Sequence, residues 1–188
     1  HEIYEVPDLV PALIIAHNRS TGIVQKHWHN ACEIIYSLDA ELQIGIGNSI
    51  RILRDKDFAI INGAEVHSVR SQNSERKKAL SITFSYDFLK KQFKNFDDLY
   101  FKIPDEFEYR DILVQIFEEL YEIYFTGLKK HSHIRVNELI FKLLGLLIEF
   151  CVTEKPSHSV IFSNKYQDRF RKILNFMEEH YIENISLQ

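Results

Sequence analysis

The chain has 188 residues, of which 45% are hydrophobic and 13% aromatic, and it carries a formal net charge of −4 at pH 7. This is enough chain for one well-filled domain or one and a half. The acidic balance gives no basic footprint for nucleic acid. Cys32 and Cys151 lie in apolar contexts, which is typical of reduced thiols rather than of a disulfide framework. With no secretory leader or membrane-spanning run in view, we expect a cytoplasmic protein without a membrane partner.

The first half of the chain has the pattern of short β-strands separated by turns. Apolar, β-branched runs bounded by Gly, Asn, Asp and Ser are typical of antiparallel β-structure. Strands are predicted at Leu13–Ala16, Glu33–Leu38, Leu42–Ile46, Ile50–Leu53, Phe58–Ile61, Val66–Val69 and Leu80–Phe84. The clearest turn is Asn62-Gly63. Many short strands at this spacing predict an antiparallel β-barrel or jelly roll.

After Phe84 the apolar residues recur with the period of a helix. We expect Ser85 to cap a short helix that runs through Phe96, and Pro104 to open a longer helix that ends at Gly127. Ser132 is expected to cap a third helix, whose apolar stripe reaches Cys151. That stripe is wider than one core contact requires. It predicts either a helix that shares one face with a partner subunit or a helix simply buried among others.

The end of the chain has the composition of a linker followed by one more helix. Residues 153–164 contain Pro156 and several serines. The stretch from Tyr166 to Tyr181 has an apolar helical face, and Ser186 is a good cap for yet another helix. We therefore expect the sequence to stop as a second domain begins.

The residues best suited to bind a ligand or a metal ion are His27, His29, Glu33 and His67. Side chains alternate along a strand, so an unbroken strand would turn His27, His29 and Glu33 to one side. His67 follows three or four predicted strands, far enough along the chain to return across a closed sheet. Three interpretations stay open for this group: a metal site, a polar pocket for a small effector, or a structural hydrogen-bond network.

Taken together, these segments resemble the amino-terminal region of an AraC-type bacterial transcription regulator. The resemblance covers nearly the whole chain. It is carried by His27-Trp28-His29 with Glu33 to Tyr36, by Lys56 to Ile61, by Glu65-Val66-His67, by Ile82 to Ser85, and by the tail Phe170 to Met177 with Ile185 to Leu187. It implies an α+β chain with a cupin-like antiparallel barrel, a helical hairpin and a C-terminal helix.

The resemblance also implies a division of labour along the chain. Residues 1–100 would form the effector-binding barrel and 101–155 the dimerising hairpin, with a linker at 156–164 and the first helix of a helix-turn-helix domain at 165–188. We expect a small polar effector, possibly a sugar, at His27, His29, Glu33 and His67, and no cofactor. DNA would be bound only through the helix-turn-helix domain that these last residues open.

Two further expectations concern the assembly and the rival class of function. We expect a homodimer in which Leu139, Leu143 and Leu146 lie nearest the two-fold axis. The alternative is a metal-dependent cupin enzyme, a dioxygenase or isomerase, whose ligands would be His27, His29, Glu33 and His67. The sequence has no nucleophile motif or phosphate-binding glycine loop, so we do not expect other enzymatic chemistry.

Overall fold

Eight antiparallel strands form two four-stranded sheets that pack face to face. The computed structural model describes residues 9–18, 22–72 and 78–154, and the first of the two units into which the chain divides ends at Thr153. The eight strands are β1 (Ala12–His17), β2 (Ile23–His27), β3 (Cys32–Ser37), β4 (Leu42–Ile46), β5 (Ser49–Leu53), β6 (Asp57–Ile61), β7 (His67–Ser71) and β8 (Ala79–Phe84). Sheet 1 has the order β1-β8-β3-β6, and sheet 2 has the order β2-β7-β4-β5.

Successive strands alternate between the two sheets, except that β4 and β5 are neighbours in sheet 2, and this is the topology of a jelly roll. The expectation of an antiparallel jelly roll is therefore confirmed. The expectation of a closed barrel is not, because none of the described strand pairs joins one sheet to the other. The architecture is a β-sandwich, and its strand β2 is an element that the sequence pattern did not predict.

Strand register decides which residues of sheet 1 face sheet 2. Glu33 lies opposite both Thr83 and Ile61, and Ile35 lies opposite Ser81 and Ala59, so these residues share one face. Ile35, Ala59 and Ile61 form a buried cluster with Leu42, Ile44 and Leu53 of sheet 2, which identifies that face as the inner one. Ile34, Tyr36 and Ile82 point the other way, into a core shared with the helices.

Within residues 78–154, three α-helices follow the strands: α1 (Tyr86–Gln92), α2 (Arg110–Phe125) and α3 (Ser132–Phe150). The cap at Ser85 is confirmed, since its side chain accepts a hydrogen bond from the Phe88 N–H. Helix α1 stops at Gln92 rather than Phe96, which instead begins a 3₁₀ turn.

The two hairpin helices also begin differently from the prediction. Helix α2 begins at Arg110 and not at Pro104. Ser132 opens α3 but does not cap it, because its hydroxyl accepts from the Lys129 N–H at 2.8 Å. The turn between the helices is closed by His131 in a left-handed conformation, with φ of 70°.

A small two-stranded ribbon lies beside the hairpin and was not predicted. It pairs β9 (Leu99–Phe101) with β10 (Val152–Glu154). Three-residue strands are too short to show a period in a sequence. The ribbon joins the segment before α2 to the segment after α3.

The apolar stripe of α3 is mostly buried within the chain's own fold. Leu139 is 4% exposed and Leu143 is fully buried, in the core that α3 shares with α2 and the outer face of sheet 1. Leu146 is partly buried against the same core. Of the two alternatives for this helix, burial among other elements thus accounts for most of the stripe. The large apolar residues that α3 leaves more than half exposed are Ile134 and Phe141.

Several expectations fall outside the described residues. The linker at 156–164, the final helix within 165–188 and the resemblance of the tail to a DNA-binding domain all lie there. Among the helices that are described, none combines the length and apolar character needed to cross a membrane. The cytoplasmic location stays a prediction.

Candidate functional site

The four predicted site residues meet at one corner of the sandwich. His27 and His67 lie directly opposite each other on β2 and β7, with ring centroids 4.1 Å apart. The rings of His29 and His67 are 4.8 Å apart. One nitrogen from each of the three histidines lies within 4.8 Å of the others. Glu33 completes the group, with its Oε2 3.3 Å from the Nε2 atoms of both His29 and His67.

The way in which these residues converge differs from the prediction. An unbroken strand from His27 to Glu33 does not exist, because β2 ends at His27 and β3 begins at Cys32. Residues 28–31 carry the chain from sheet 2 to sheet 1. His29 lies on this crossing and is 2% exposed. The histidines are therefore brought together by a sheet-to-sheet crossing and not by alternation along one strand.

A close backbone contact holds the crossing against the turn that precedes β7. The Ala64 N–H donates to the His29 carbonyl at 2.7 Å. A Cβ atom built on Gly63 would lie 2.7 Å from the Asn30 carbonyl oxygen. Only glycine allows two backbone segments to approach this closely without a shift. Gly63 thus fixes the spacing between the segments that bear His29 and His67.

Each histidine is oriented by a hydrogen bond from its Nδ1 atom to a backbone carbonyl. The acceptors are the carbonyls of Gln25 for His27 at 2.9 Å, Ala31 for His29 at 3.1 Å, and Glu65 for His67 at 2.9 Å. A carbonyl can only accept, so all three Nδ1 atoms carry the proton. In the neutral rings, Nε2 is then the atom with the lone pair.

Glu33 places a negative charge beside the lone pairs of two histidines. Its Oε2 faces the Nε2 atoms of two histidines at 3.3 Å. Two imidazole lone pairs and a carboxylate oxygen repel one another unless a proton or a cation lies between them. The His67 Nε2 is buried and makes no well-aligned hydrogen bond, although it is within ion-pair distance of Glu33. The cluster is therefore built to hold positive charge.

The pKa values of Glu33 and His67 follow from the same contacts. Burial alone would raise the pKa of the Glu33 carboxyl, but its interactions with His29 and His67 outweigh burial and lower that pKa to about 2. Burial alone would lower the pKa of His67, but its interactions with Glu33 and Glu65 outweigh burial and raise it. Both shifts favour a negative carboxylate beside a positive imidazolium.

The same residues fit a divalent cation. Imidazole nitrogens and a carboxylate suit zinc, iron or manganese. Ligating histidines in proteins commonly donate their other ring nitrogen to a carbonyl, as His27, His29 and His67 do. The buried Nε2 of His67 without a good partner is a ligand position that a cation would satisfy. His27, His29 and His67 would hold such an ion, with Glu33 as a fourth ligand.

Several residues around the cluster were not predicted to belong to the site. Glu65 accepts from His67 through its carbonyl and from Tyr100 through Oε1 at 2.8 Å. His17 shares the inner face of sheet 1, where its Nε2 lies 3.2 Å from the Ser81 hydroxyl. The signal that would have revealed Glu65 and Tyr100 is absent from the sequence, because 35 positions separate them.

Cys32 adjoins the site in sequence but takes no part in it. Its thiol is 2% exposed and lies on the helix side of sheet 1. Burial, with the negative charges of Glu33 and Glu65, raises the pKa of this thiol to about 12. A nucleophilic role for Cys32 is therefore disfavoured.

Comparisons with known proteins find similarity in structure and none in sequence. No family model and no curated protein matches the chain. The fold is similar to an RmlC-like cupin from Shewanella frigidimarina, with 17% identity over 42% of this chain and 71% of that one, and a TM-score of 0.35. It is also similar to the cupin domain of Cnp3 from Schizosaccharomyces pombe, with 5% identity over 48% and 62% of the two chains, and a TM-score of 0.40.

A third similar structure is described as a predicted oxalate decarboxylase from Thermotoga maritima. It shares 19% identity over 39% of this chain and 67% of its own, with a TM-score of 0.35. Scores of this size give no basis for transferring a function. The jelly roll rests on the strand order described above, and neither the regulatory nor the enzymatic expectation is decided by these similarities.

The close approach at Gly63 generates a first prediction. Gly63→Ala should force the crossing at residues 28–31 away from the turn, because the added Cβ would meet a backbone oxygen at 2.7 Å. We expect a loss of about 1–3 kcal/mol in the free energy of unfolding, measured by urea denaturation.

Gly145→Ala is the matched control for this variant. Gly145 lies inside α3 with nothing within 4 Å of a built Cβ, so alanine there should be neutral or stabilising by up to about 1 kcal/mol. Equal effects of the two substitutions would contradict the role given to Gly63.

Glu33 should make stability depend on pH in the acid range. Its folded pKa of about 2 lies below the ordinary value of 4.5. Its contribution is therefore fully present above pH 4.5 and is lost as the pH falls from there towards 2. In buffer with EDTA at pH 6, Glu33→Gln should lower the free energy of unfolding by on the order of 1–3 kcal/mol, and this difference should shrink below pH 4.5.

His67 acts in the opposite direction. Its raised pKa gives stability that is fully present below pH 6.5 and is lost as the pH rises through the folded value.

Glu41→Gln is the control for Glu33→Gln, since Glu41 makes an exposed ion pair with Arg54 at 3.8 Å. A difference between wild type and Glu33→Gln that stays constant from pH 3 to pH 6 would overturn the assigned interaction.

Proposed function

We propose that this chain is the small-molecule sensing and dimerisation region of a DNA-binding transcription regulator. The observation that carries the proposal is the division of labour between the two faces of sheet 1. Its inner face presents Glu33 to the histidine cluster, and its outer face packs against the α2–α3 hairpin. A ligand bound on one face would act on helices through a single layer of strands. The resemblance of the sequence to AraC-type regulators agrees with this arrangement.

The inner faces offer both polar and aliphatic contacts to an effector. The half of the sandwich formed by β3, β4, β5 and β6 is filled by the buried cluster around Ile44 and Ile61. In the other half, Ile15 is 41% exposed and Val24 is 44% exposed, although strand register turns both inward. The His17–Ser81 pair lies on the same inner face. Small ligands bind where aliphatic walls surround a few polar groups.

This lining favours one kind of polar effector over another. The strand residues that the described register places on the inner faces include no phenylalanine, tyrosine or tryptophan. They provide no aromatic platform on which a sugar ring would stack. We therefore propose an effector with a polar group for the histidine cluster and a short aliphatic part for Ile15 and Val24, in preference to a free sugar.

A ligand screen tests the sensing proposal. Thermal-shift measurements would use a panel of metabolite pairs. Each pair consists of a polar compound and an analogue that carries the same polar group and a short aliphatic chain. A ligand that binds only the native state raises the melting temperature. We expect a hit from the aliphatic members, with a response lost in His67→Ala and Ile15→Ser and kept in His133→Ala, where the histidine lies on α3. A hit whose response survives His67→Ala would refute the pocket.

Dimerisation through α3 is the second part of the proposal. Since Leu139 and Leu143 are buried within the protomer, the residues offered to a partner are Ile134 and Phe141, which are 63% and 52% exposed. They lie seven positions apart on one side of the helix, and Ile148 continues that side.

Analytical ultracentrifugation tests the dimer. Wild type should sediment as a dimer at tens of micromolar, and the double variant Ile134→Glu with Phe141→Glu as a folded monomer. Ile50→Glu is the control, because Ile50 is 68% exposed on strand β5, away from α3. A wild-type monomer at that concentration would refute the dimer.

A metal-dependent cupin enzyme is the second candidate. The observation that favours it is the convergence of His27, His29 and His67, with the buried Nε2 of His67 lacking a good hydrogen bond. Metal analysis of protein purified without chelator tests it. Stoichiometric iron, manganese or zinc that is lost in His67→Ala would support the enzyme, whereas metal-free protein with an effector response would support the sensor.

A further inference from the structure

We propose that Glu65 positions the histidine cluster and that Asn62 and Tyr100 couple this residue to the β9–β10 ribbon. A change in the orientation of His67 would then alter the ribbon, and a change in the ribbon would alter His67. The inference deepens the proposed sensing function by naming a route out of the site. Its test needs neither effector nor DNA, so its failure and the failure of the sensing proposal are separate results.

Glu65 uses three oxygen atoms to hold three different parts of the structure. Its carbonyl accepts from the His67 Nδ1 at 2.9 Å. Its Oε2 accepts from the Asn62 N–H at 2.8 Å, which closes the turn before β7. Its Oε1 accepts from the Tyr100 hydroxyl at 2.8 Å, which reaches it from β9. A shift of residue 65 therefore changes all three contacts together.

Asn62 forms a second connection between the same turn and the ribbon. Its side-chain Nδ2 donates to the Phe101 carbonyl at 3.0 Å, and its Oδ1 accepts from the Phe101 N–H at 2.7 Å. The amide thus pairs with Phe101 as a neighbouring strand would. Asn62 is 7% exposed, so breaking this pair would leave buried polar groups without partners, which is costly. The turn and the ribbon are held as one unit.

The ribbon in turn is tied to the end of α3. The Lys102 N–H donates to the Cys151 carbonyl at 2.8 Å, directly after the last residue of that helix. The Thr153 hydroxyl donates to the Tyr100 carbonyl at 3.3 Å. Hydrogen bonds therefore lead without a gap from His67 through Glu65 and Tyr100 to the residues that follow the hairpin.

The geometry makes the His67 ring the sensitive end of this connection. His67 is 1% exposed and held at Nδ1 by the Glu65 carbonyl. A proton, cation or ligand that draws its Nε2 to a new position rotates the ring, and the ring then keeps its Nδ1 bond only if residue 65 follows. Since coupling between sites is reciprocal, loosening the ribbon must also loosen the ring.

Hydrogen exchange and NMR on the 188-residue chain test the coupling in both directions. Tyr100→Phe removes one hydroxyl, and we expect the His67 ring resonances to shift and the amides of residues 65–67 to exchange about tenfold faster. In the reverse direction, His67→Gln should speed exchange at the amides of Phe101 and Lys102 by a similar factor.

Tyr86→Phe is the matched control. It also removes a tyrosine hydroxyl that donates to a carboxylate, that of Asp97 at 2.9 Å, but it lies on α1. It should leave the His67 resonances unchanged. Effects of equal size from Tyr86→Phe and Tyr100→Phe would show a general loss of stability and overturn the proposal.

A pair of substitutions at Glu65 separates positioning from simple structural support. Glu65→Gln keeps one side-chain acceptor oxygen, which can serve either the Tyr100 hydroxyl or the Asn62 N–H but not both, whereas Glu65→Ala removes both acceptors. We expect the His67 spectrum to change less in Glu65→Gln than in Glu65→Ala, which should change it at least as much as Tyr100→Phe does. An unchanged His67 spectrum in both Tyr100→Phe and Glu65→Ala would refute the coupling.

Discussion

The contact between the 28–31 crossing and the turn before β7 is the constraint on which the site depends. At this point the chain passes from sheet 2 to sheet 1, and the His29 carbonyl accepts from the Ala64 N–H at 2.7 Å. The contact fixes His29 relative to His67, and both relative to Glu33 at the start of β3. Any side chain larger than the hydrogen of Gly63 would separate these segments. The chemistry of the cluster thus follows from backbone packing.

Charge balance is the second consequence of this packing. The Nδ1 atoms of the three histidines are all committed to carbonyls, so the variable part of the site is what lies between their Nε2 atoms and Glu33. A proton, a metal ion or the donor group of a ligand satisfies the same geometry. One set of residues is therefore suited to both effector binding and metal binding. A measurement of bound metal distinguishes these two functions.

The sequence predicted the repeating features well and the irregular ones poorly. Most strands and the three described helices can be predicted, because their apolar patterns extend over enough residues to show a period. The crossing at residues 28–31 could not be predicted, because the alternation of side chains does not show where a strand ends and the chain passes to another sheet. The ribbon and the Glu65–Tyr100 contact join segments that are 35 positions apart or more, and such contacts leave no local pattern. The apolar stripe of α3 predicts that Leu139 and Leu143 are buried, but it does not show which neighbours bury them.

The two buried cysteines can be used to measure local opening of the folded protein. Burial raises the pKa of Cys32 to about 12 and that of Cys151 to about 11, so neither thiol reacts readily while its surroundings are closed. Cys32 lies beside the crossing, and Cys151 lies where α3 meets the ribbon. The rate at which each thiol is alkylated therefore measures how often that part of the native protein opens. Two natural residues thus report separately on the crossing and on the junction between α3 and the ribbon.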